Sequence, residues 1–327
     1  MITLIASFVK QAIIQGMPLL YGSTGEIISE KSGNLNLGIP GIMYIGGISG
    51  VIGAYFYESY GDTSNAFLCI LVPFLTSFLG SVLMAFIYSF LTVTLRANQN
   101  VTGLALTTFG VGVGNFFGAS LSSIFGEGGQ IALNTTGNYF KQTLPFAHKF
   151  GLFGETFFKF GFLAYLAVII ALVSSFILER TRIGLNLRAV GENPATADAA
   201  GINVTLYKYI TICLGGGIAG LGGLYFIMDY IGGAWTNGGF GDRGWLAIAL
   251  VIFAIWKPKY GIIGSILFGG LYIVYLYIPG LARGSQEIFK VLPYLVTIVV
   301  LILTSIRKKR EHQPPASLGQ HYFREER

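Results

Sequence analysis

The sequence predicts an all-α, polytopic integral membrane protein, and three observations carry that reading. Hydrophobic residues make up 53% of the 327-residue chain and charged residues only 11%, with a mean hydropathy of +0.65, which excludes a water-soluble globule. Nine apolar runs are long enough, or nearly so, to cross a bilayer. Lys and Arg gather at the ends of these runs and in the C-terminal tail, so the net charge of +6 and the pI near 9.2 report orientation in a membrane, not nucleic-acid binding.

The first run, about residues 4–21, has no basic n-region and no small-residue cleavage site, so it is expected to stay in the membrane. Lys10, Gln11 and Gln15 interrupt it and are expected to face other helices, because a polar group is costly in lipid. Runs follow at about 38–57, 66–93, 101–121, 157–178, 206–228, 245–256, 262–278 and 289–306. They make about nine transmembrane helices, within a range of eight to ten.

The seventh run is short enough to be re-entrant. Charge argues that it crosses. With nine crossings, Lys31, Arg96, Arg180, Arg182, Arg188, Lys208, Lys257, Lys259 and the tail cations Arg307, Lys308, Lys309, Arg310, Arg324 and Arg327 share one side. The positive-inside tendency makes that side cytoplasmic, with the N-terminus outside and the C-terminus inside. Residues 1–306 then form the transmembrane domain and 307–327 a polar cytoplasmic tail.

Glycine is abundant within the runs, and Gly46 with Gly50, Gly114 with Gly118, and Gly216 with Gly220 have the G-x-x-x-G spacing that lets helices approach closely. The stretch 215–223 carries this signal most densely. Cys69 and Cys213 lie in apolar runs without metal-ligand or disulfide spacing, and read as packing thiols.

Between the fifth and sixth runs lies a polar segment, 179–205, that has the character of a docking element. Asn193 suits an N-cap, Pro194 the first helical position, Ala195, Ala197, Ala199 and Ala200 a helix, and Gly201 its C-terminal stop. One or two turns are marginal alone in water, so this helix is expected to pack against something, and its methyl side chains allow a close approach. The same residues also suit a plain connecting helix.

Enzymatic readings fail on missing groups. His148, His312 and His321 lie in loop or tail, which leaves no intramembrane metal site or histidine dyad, and there is no G-x-x-x-x-G-K-[ST] for binding ATP. No cofactor is expected. Two exterior segments, 122–156 and 229–243, are long enough to act. The second combines Trp235 and Phe240 with Asn237, Asp242 and Arg243 on a glycine-rich backbone, so Trp235, Asn237 and Phe240, with Asn115, are candidates for a substrate path. A glycine-rich loop with an interfacial tryptophan is the alternative.

The segment RIGLNLRAVGENPATADAAGI, 182–202, closely resembles the coupling-loop signature of permease subunits of bacterial ABC importers for simple sugars and nucleosides, a branched-chain-type permease family. GEIISEKSGNLNLGIPGIMYIG, 25–46, is similar to that family's first cytoplasmic loop and second span, and 292–327 to the C-terminus of its nucleoside branch. Pro40 departs from the pattern, standing where an acidic residue is expected.

The resemblance implies a permease of the bacterial cytoplasmic membrane that pairs with a second, similar permease as a heterodimer, with an ABC ATPase subunit and with an extracellular substrate-binding lipoprotein. Arg188, Gly191, Glu192, Asn193, Pro194, Ala195, Ala197, Ala199, Ala200 and Gly201 would then couple to the ATPase. The implied substrate is a nucleoside, purine nucleosides first, with a ribose- or galactose-type sugar as the alternative. A free-standing secondary transporter is disfavoured, because most acidic residues lie near run ends or in loops.

Overall fold

A backbone surrounded by lipid must satisfy its polar groups internally, and the apolar runs do so as helices. The computed structural model describes residues 2–125, 131–145, 147–280, 283–307 and 313–323. Four helices come first: α1 (Ile2–Glu30), α2 (Ile39–Tyr60), α3 (Ala66–Ser89, continued by a π-helical turn Phe90–Thr94) and α4 (Gln99–Phe125). The short helices α5 (Asn134–Phe140) and α6 (Gly151–Phe157) precede α7 (Phe162–Arg180). Then come α8 (Arg182–Glu192), α9 (Pro194–Ala199), α10 (Val204–Tyr225, with a π turn Phe226–Ile231), α11 (Arg243–Phe253), α12 (Pro258–Ile273), α13 (Arg283–Lys290) and α14 (Leu292–Arg307). The tail cations Lys308, Lys309, Arg310, Arg324 and Arg327, and His312, fall outside the described residues.

Eight helical segments among the described residues are long and apolar enough to span a membrane. The seventh expected run is different. α11 has 11 residues, about 16 Å of helix against a hydrocarbon core of about 30 Å. The rest of its passage is the glycine-rich segment 232–242. At one end, Gly233 accepts from the Leu133 amide at 3.0 Å, beside the α5 loop. At the other, Trp256 donates its indole N–H to Glu30, at the end of α1. The chain therefore does pass from one face to the other here, as loop plus half-helix. Irregular backbone at that depth is tolerated because protein surrounds it.

Arg243 secures this passage. Its guanidinium donates to Gln15 Oε1 at 2.9 and 3.3 Å and to the Phe240 carbonyl at 3.0 Å, and lies 4.5 Å from the Phe226 ring centroid and 5.1 Å from that of Tyr272. One buried cation thus ties the loop to α1, α10 and α12. Gln15 faces inward as its polarity requires, whereas Gln11, nearer the helix start, is exposed and Lys10 half-buried.

The glycine spacing has the expected consequence at the centre of the bundle. A Cβ at Gly46 would collide with the backbone of Gly220, and one at Gly25 with the Gly215 carbonyl, so α2 and α1 both meet α10 at backbone distance. Gly114 and Gly118 act otherwise. They seat the rings of Tyr44 and Trp235 on α4, not another helix backbone.

The connection between α1 and α2 is buried although polar: Ser32, Asn34 and Asn36 are each at most 1% exposed. Most such groups are hydrogen-bonded: Ser32 donates to the Ser29 carbonyl at 2.7 Å, Asn34 Nδ2 to Ser32 Oγ at 3.1 Å, and Asn36 Oδ1 accepts from the Gly38 amide at 2.9 Å, while Asn36 Nδ2 has no partner among the described residues. Glu26 accepts from the Asn36 amide at 2.8 Å, Gln99 from the Leu35 amide at 2.8 Å, and Thr107 donates to the Leu37 carbonyl at 2.7 Å. Pro40 opens α2 and packs against Gly244, so the position of the expected acidic residue is an apolar contact here.

The tail residues 313–323 return to this same face. Ser317 donates to the Gly191 carbonyl from its amide at 3.0 Å and its hydroxyl at 2.7 Å, and the Gly319 amide donates to Gly33 at 3.1 Å. The docking segment and the tail thus share one face, as the four crossings between them, α10, α11, α12 and α14, demand. Single cysteines at exposed Ala316 and exposed Asn134 are expected to react with an impermeant thiol reagent from opposite sides of the membrane. Labelling of both from outside intact cells would overturn this topology.

Candidate functional site

The docking segment is more ordered than its sequence suggests. Residues 182–192, read above as polar loop, form α8, whose N-cap Thr181 accepts from the Gly184 amide at 3.2 Å. Asn193 ends α8 and caps α9, its Oδ1 accepting from the Thr196 amide at 3.0 Å, and Pro194 takes the first turn. Gly201 closes α9 at φ +83°, with the Ile202 amide donating back to the Ala197 carbonyl at 3.0 Å. That left-handed closure with a six-residue bond strongly favours glycine.

The packing partner that a short helix requires is found within the chain itself. Ala197 is buried with Val190 and Val204 beside Ala189, Ile202, Tyr207 and Tyr322, and the Tyr322 hydroxyl donates to Asp198 at 2.7 Å. Gly191 is also buried, against the Lys31 carbonyl and Pro315. The remaining residues singled out for docking point elsewhere. Arg188, Glu192, Asn193, Ala199, Ala200 and Gly201 are exposed, and Pro194 and Ala195 half-buried, so they form one surface backed by Gly191 and Ala197.

Beside this surface runs a groove of about 560 Å³, lined by Lys31, Arg188, Lys257 and Lys259 with Glu179 and Glu192. Lys259 and Glu179 pair at 2.8 Å. Burial pulls the Lys31 ammonium down to about 8, opposed by Glu192 and reinforced by Arg188. The groove favours an acidic partner surface.

Three of the four candidates for a substrate path, Asn115, Trp235 and Phe240, meet at a residue the sequence reading missed, and the fourth, Asn237, joins them through Trp235. Tyr44 donates its hydroxyl to Asn115 Oδ1 and accepts from the Gly238 amide at 2.8 Å. Its ring meets Trp235 edge-on at 5.3 Å and Phe240 at 6.5 Å, while the Trp235 indole N–H donates to Asn237 at 2.8 Å. Trp235 and Phe240 are each 5% exposed, Asn237 is exposed and Asn115 partly so. The aromatic rings are therefore packed, and each amide oxygen is tied to one of them, with Asn237 exposed and Asn115 half-buried.

The sequence offers little hint of Tyr44, whose hydroxyl is one of four in the apolar, glycine-rich run 38–57. Arg243, considered above as a ligand group, is spent on the clamp. The cavity under Tyr44, Trp235 and Phe240 measures about 10 Å³, at the lower limit of the ~10–15 Å³ at which a cavity begins to admit one water. The glycine-rich segment therefore leaves no room for a substrate-sized molecule among these rings. No group of three or more metal-binding side chains occurs among the described residues.

Residues 8–301 match the family described as branched-chain amino acid transport system / permease component. Three curated relatives align over nearly their whole length. "Putative glucose ABC transporter permease protein TsgC13" of Haloferax volcanii is 32% identical, covering 94% of this chain and 94% of the relative. "Nucleoside ABC transporter permease protein NupC" of Lactococcus lactis is 32% identical, covering 90% and 91%. "Guanosine ABC transporter permease protein NupQ" of Bacillus subtilis is 28% identical, covering 92% and 92%.

Two substitutions separate path from packing. Asn115→Ala removes a half-buried amide and one partner of Tyr44, and is expected to weaken uptake severalfold while the purified chain melts nearly as before. Trp235→Ala empties a buried site and is expected to cost about 3–5 kcal/mol of stability as well as transport. Initial uptake rates and thermal melting of both variants check this. Unchanged kinetics in Asn115→Ala would remove that residue from the path.

Proposed function

The chain belongs to the branched-chain amino acid transport system / permease component family, and from that premise we propose that it carries nucleosides, purine nucleosides foremost, inward across the cell membrane. As the permease of an ABC transporter it is an integral membrane protein and not an enzyme, and it works with an ATPase and a binding protein. We assign the ATPase contact to the α8–α9 surface, which makes that face cytoplasmic and the N-terminus external. The assembly we propose contains a second, similar permease and an extracellular substrate-binding lipoprotein.

The observation that carries the coupling assignment is the construction of α9. It is capped at both ends, exposes Ala199, Ala200 and Gly201, and rests on buried Ala197. A partner pressing on it moves the Gly191 carbonyl, and with it the tail and the α1–α2 connection bonded there. α7 and α10 enter and leave the same element. ATP binding can shift the permease only by its differential affinity for two conformations, and a stiff contact transmits that difference with little loss.

The nucleoside reading rests on NupC and NupQ, the names of two of the three relatives above. The glucose assignment of TsgC13 favours a second reading, a simple-sugar permease. Uptake of labelled guanosine by cells expressing the complete transporter, competed by other nucleosides and by ribose, galactose and glucose, decides between them. Competition by sugars alone would establish the second reading.

Ala199→Trp or Ala200→Trp is expected to reduce co-purification of the ATPase tenfold or so, since overpacking a tight contact costs about 1–3 kcal/mol. Both side chains are exposed, so the fold is expected to tolerate them. Ala197→Trp is the contrasting case and is expected to lower the melting temperature of the permease itself. Retained ATPase and retained substrate-stimulated hydrolysis in both exposed variants would reduce α9 to a connector.

A further inference from the structure

A second cavity on the docking face, separate from the candidate path, measures about 520 Å³. It lies between the start of α10, the π-helical end of α3, and the returning tail, with Arg96, Lys208, Asp198, His321 and Tyr322 on its wall. Lys208 is the unusual member. It is only 4% exposed, yet no carboxylate lies within ion-pairing distance and no hydrogen bond reaches its ammonium among the described residues. A buried charge without a partner is costly, and side chains of this kind are ordinarily paired.

The position makes the cost greater. Lys208 stands just inside the N-terminus of the 22-residue α10, where the helix dipole is positive and a cation is disfavoured. Asn203 Oδ1 takes the Leu206 amide at 3.0 Å, which leaves the Val204 and Thr205 amides as the first-turn donors without an intrahelical acceptor. Arg96 is held at φ +56° with its guanidinium 4.4 Å from the Phe323 ring centroid. The imidazole Nδ1 of His321 is buried without a partner. Asp198, the one carboxylate of the wall, accepts from Tyr322 at 2.7 Å.

We propose that this cavity binds a phosphate monoester anion, with Lys208, the first amides of α10 and Arg96 around the phosphate. A tetrahedral dianion suits donors converging from separate elements, and helix N-termini bind such groups through free amides. The volume exceeds that of phosphate alone and leaves room for an esterified group beside Tyr322 and His321. Occupancy would join α3, α10, the tail and the end of α9. The site would thereby stiffen the coupling element at its Gly201 end, which lines the cavity. The inference does not depend on which substrate the permease carries.

The test is direct binding to the purified full chain in zwitterionic detergent, by thermal shift and calorimetric titration at constant ionic strength. Inorganic phosphate and adenosine 5′-monophosphate probe a soluble source, and phosphatidic acid in mixed micelles probes a lipid headgroup. Saturable binding of any of these supports the site, and the most effective probe identifies the source. Lys208→Met is expected to weaken binding roughly tenfold or more, as loss of a charged hydrogen-bond donor does, while Lys208→Arg retains it.

Lys141→Met, on the other face, is the control and should bind as the parent does. Equal affinity in Lys208→Met, or no binding of any probe into the millimolar range, would overturn the proposal. So would binding that emerges only in a Glu325→Gln/Glu326→Gln variant, since the chain's own carboxylates would then be the occupant.

Discussion

The closeness of α10 to its neighbours governs the arrangement. Lipid gives helices no hydrophobic reason to associate, so dispersion contact between backbones has to hold them, and that requires an absence of side chains. α10 supplies it on more than one side, against α1 at Gly215 and against α2 at Gly220. With α1 and α2 fixed in this way, the polar connection between them is held under α3 and α4, where Gln99 and Thr107 can reach it. The far end of α10 is fixed by the same contacts, and from it hangs the glycine-rich segment that carries Trp235 and Phe240.

That segment presents a problem of its own, since extended backbone inside a membrane protein exposes unpaired amides and carbonyls. Arg243 answers it with donors on a single rigid fork, directed at Gln15 and at the carbonyls of Gly239 and Phe240. Its positive charge is spread over aromatic faces, and no carboxylate among the described residues forms an ion pair with it, a softer environment that suits a weakly hydrated guanidinium. The loop is thus fastened at one end and, through Tyr44, at its middle. A segment held by a few identifiable bonds can be released as a unit, which a continuous helix cannot.

On the docking face the same economy of contacts links distant parts of the sequence. The Gly191 carbonyl receives two bonds from Ser317, and Gly319 reaches Gly33, so the α1–α2 connection, α8 and the tail form one layer. The layer stands between an exposed alanine surface and the helices that line the bundle. In the proposed coupling role a stiff layer would pass a displacement on, where a compliant one would absorb it.

Composition, hydropathy and capping residues determined the class, the eight long spans and the existence of the short helix α9, because lipid solvation and helix capping act locally. Asn193, Pro194 and Gly201 each do what their chemistry prescribes. Tertiary structure alone decided the rest. That the seventh passage is half loop depends on Gln15, some 230 positions away along the chain, accepting from Arg243. That α9 leans on Tyr322, and that Tyr44 gathers Asn115, Trp235 and Phe240, depends likewise on residues remote in sequence. Periodicity and spacing record which side of a helix is apolar. They do not record which distant polar group will meet a given donor, and in a membrane interior those meetings fix where non-helical backbone can exist.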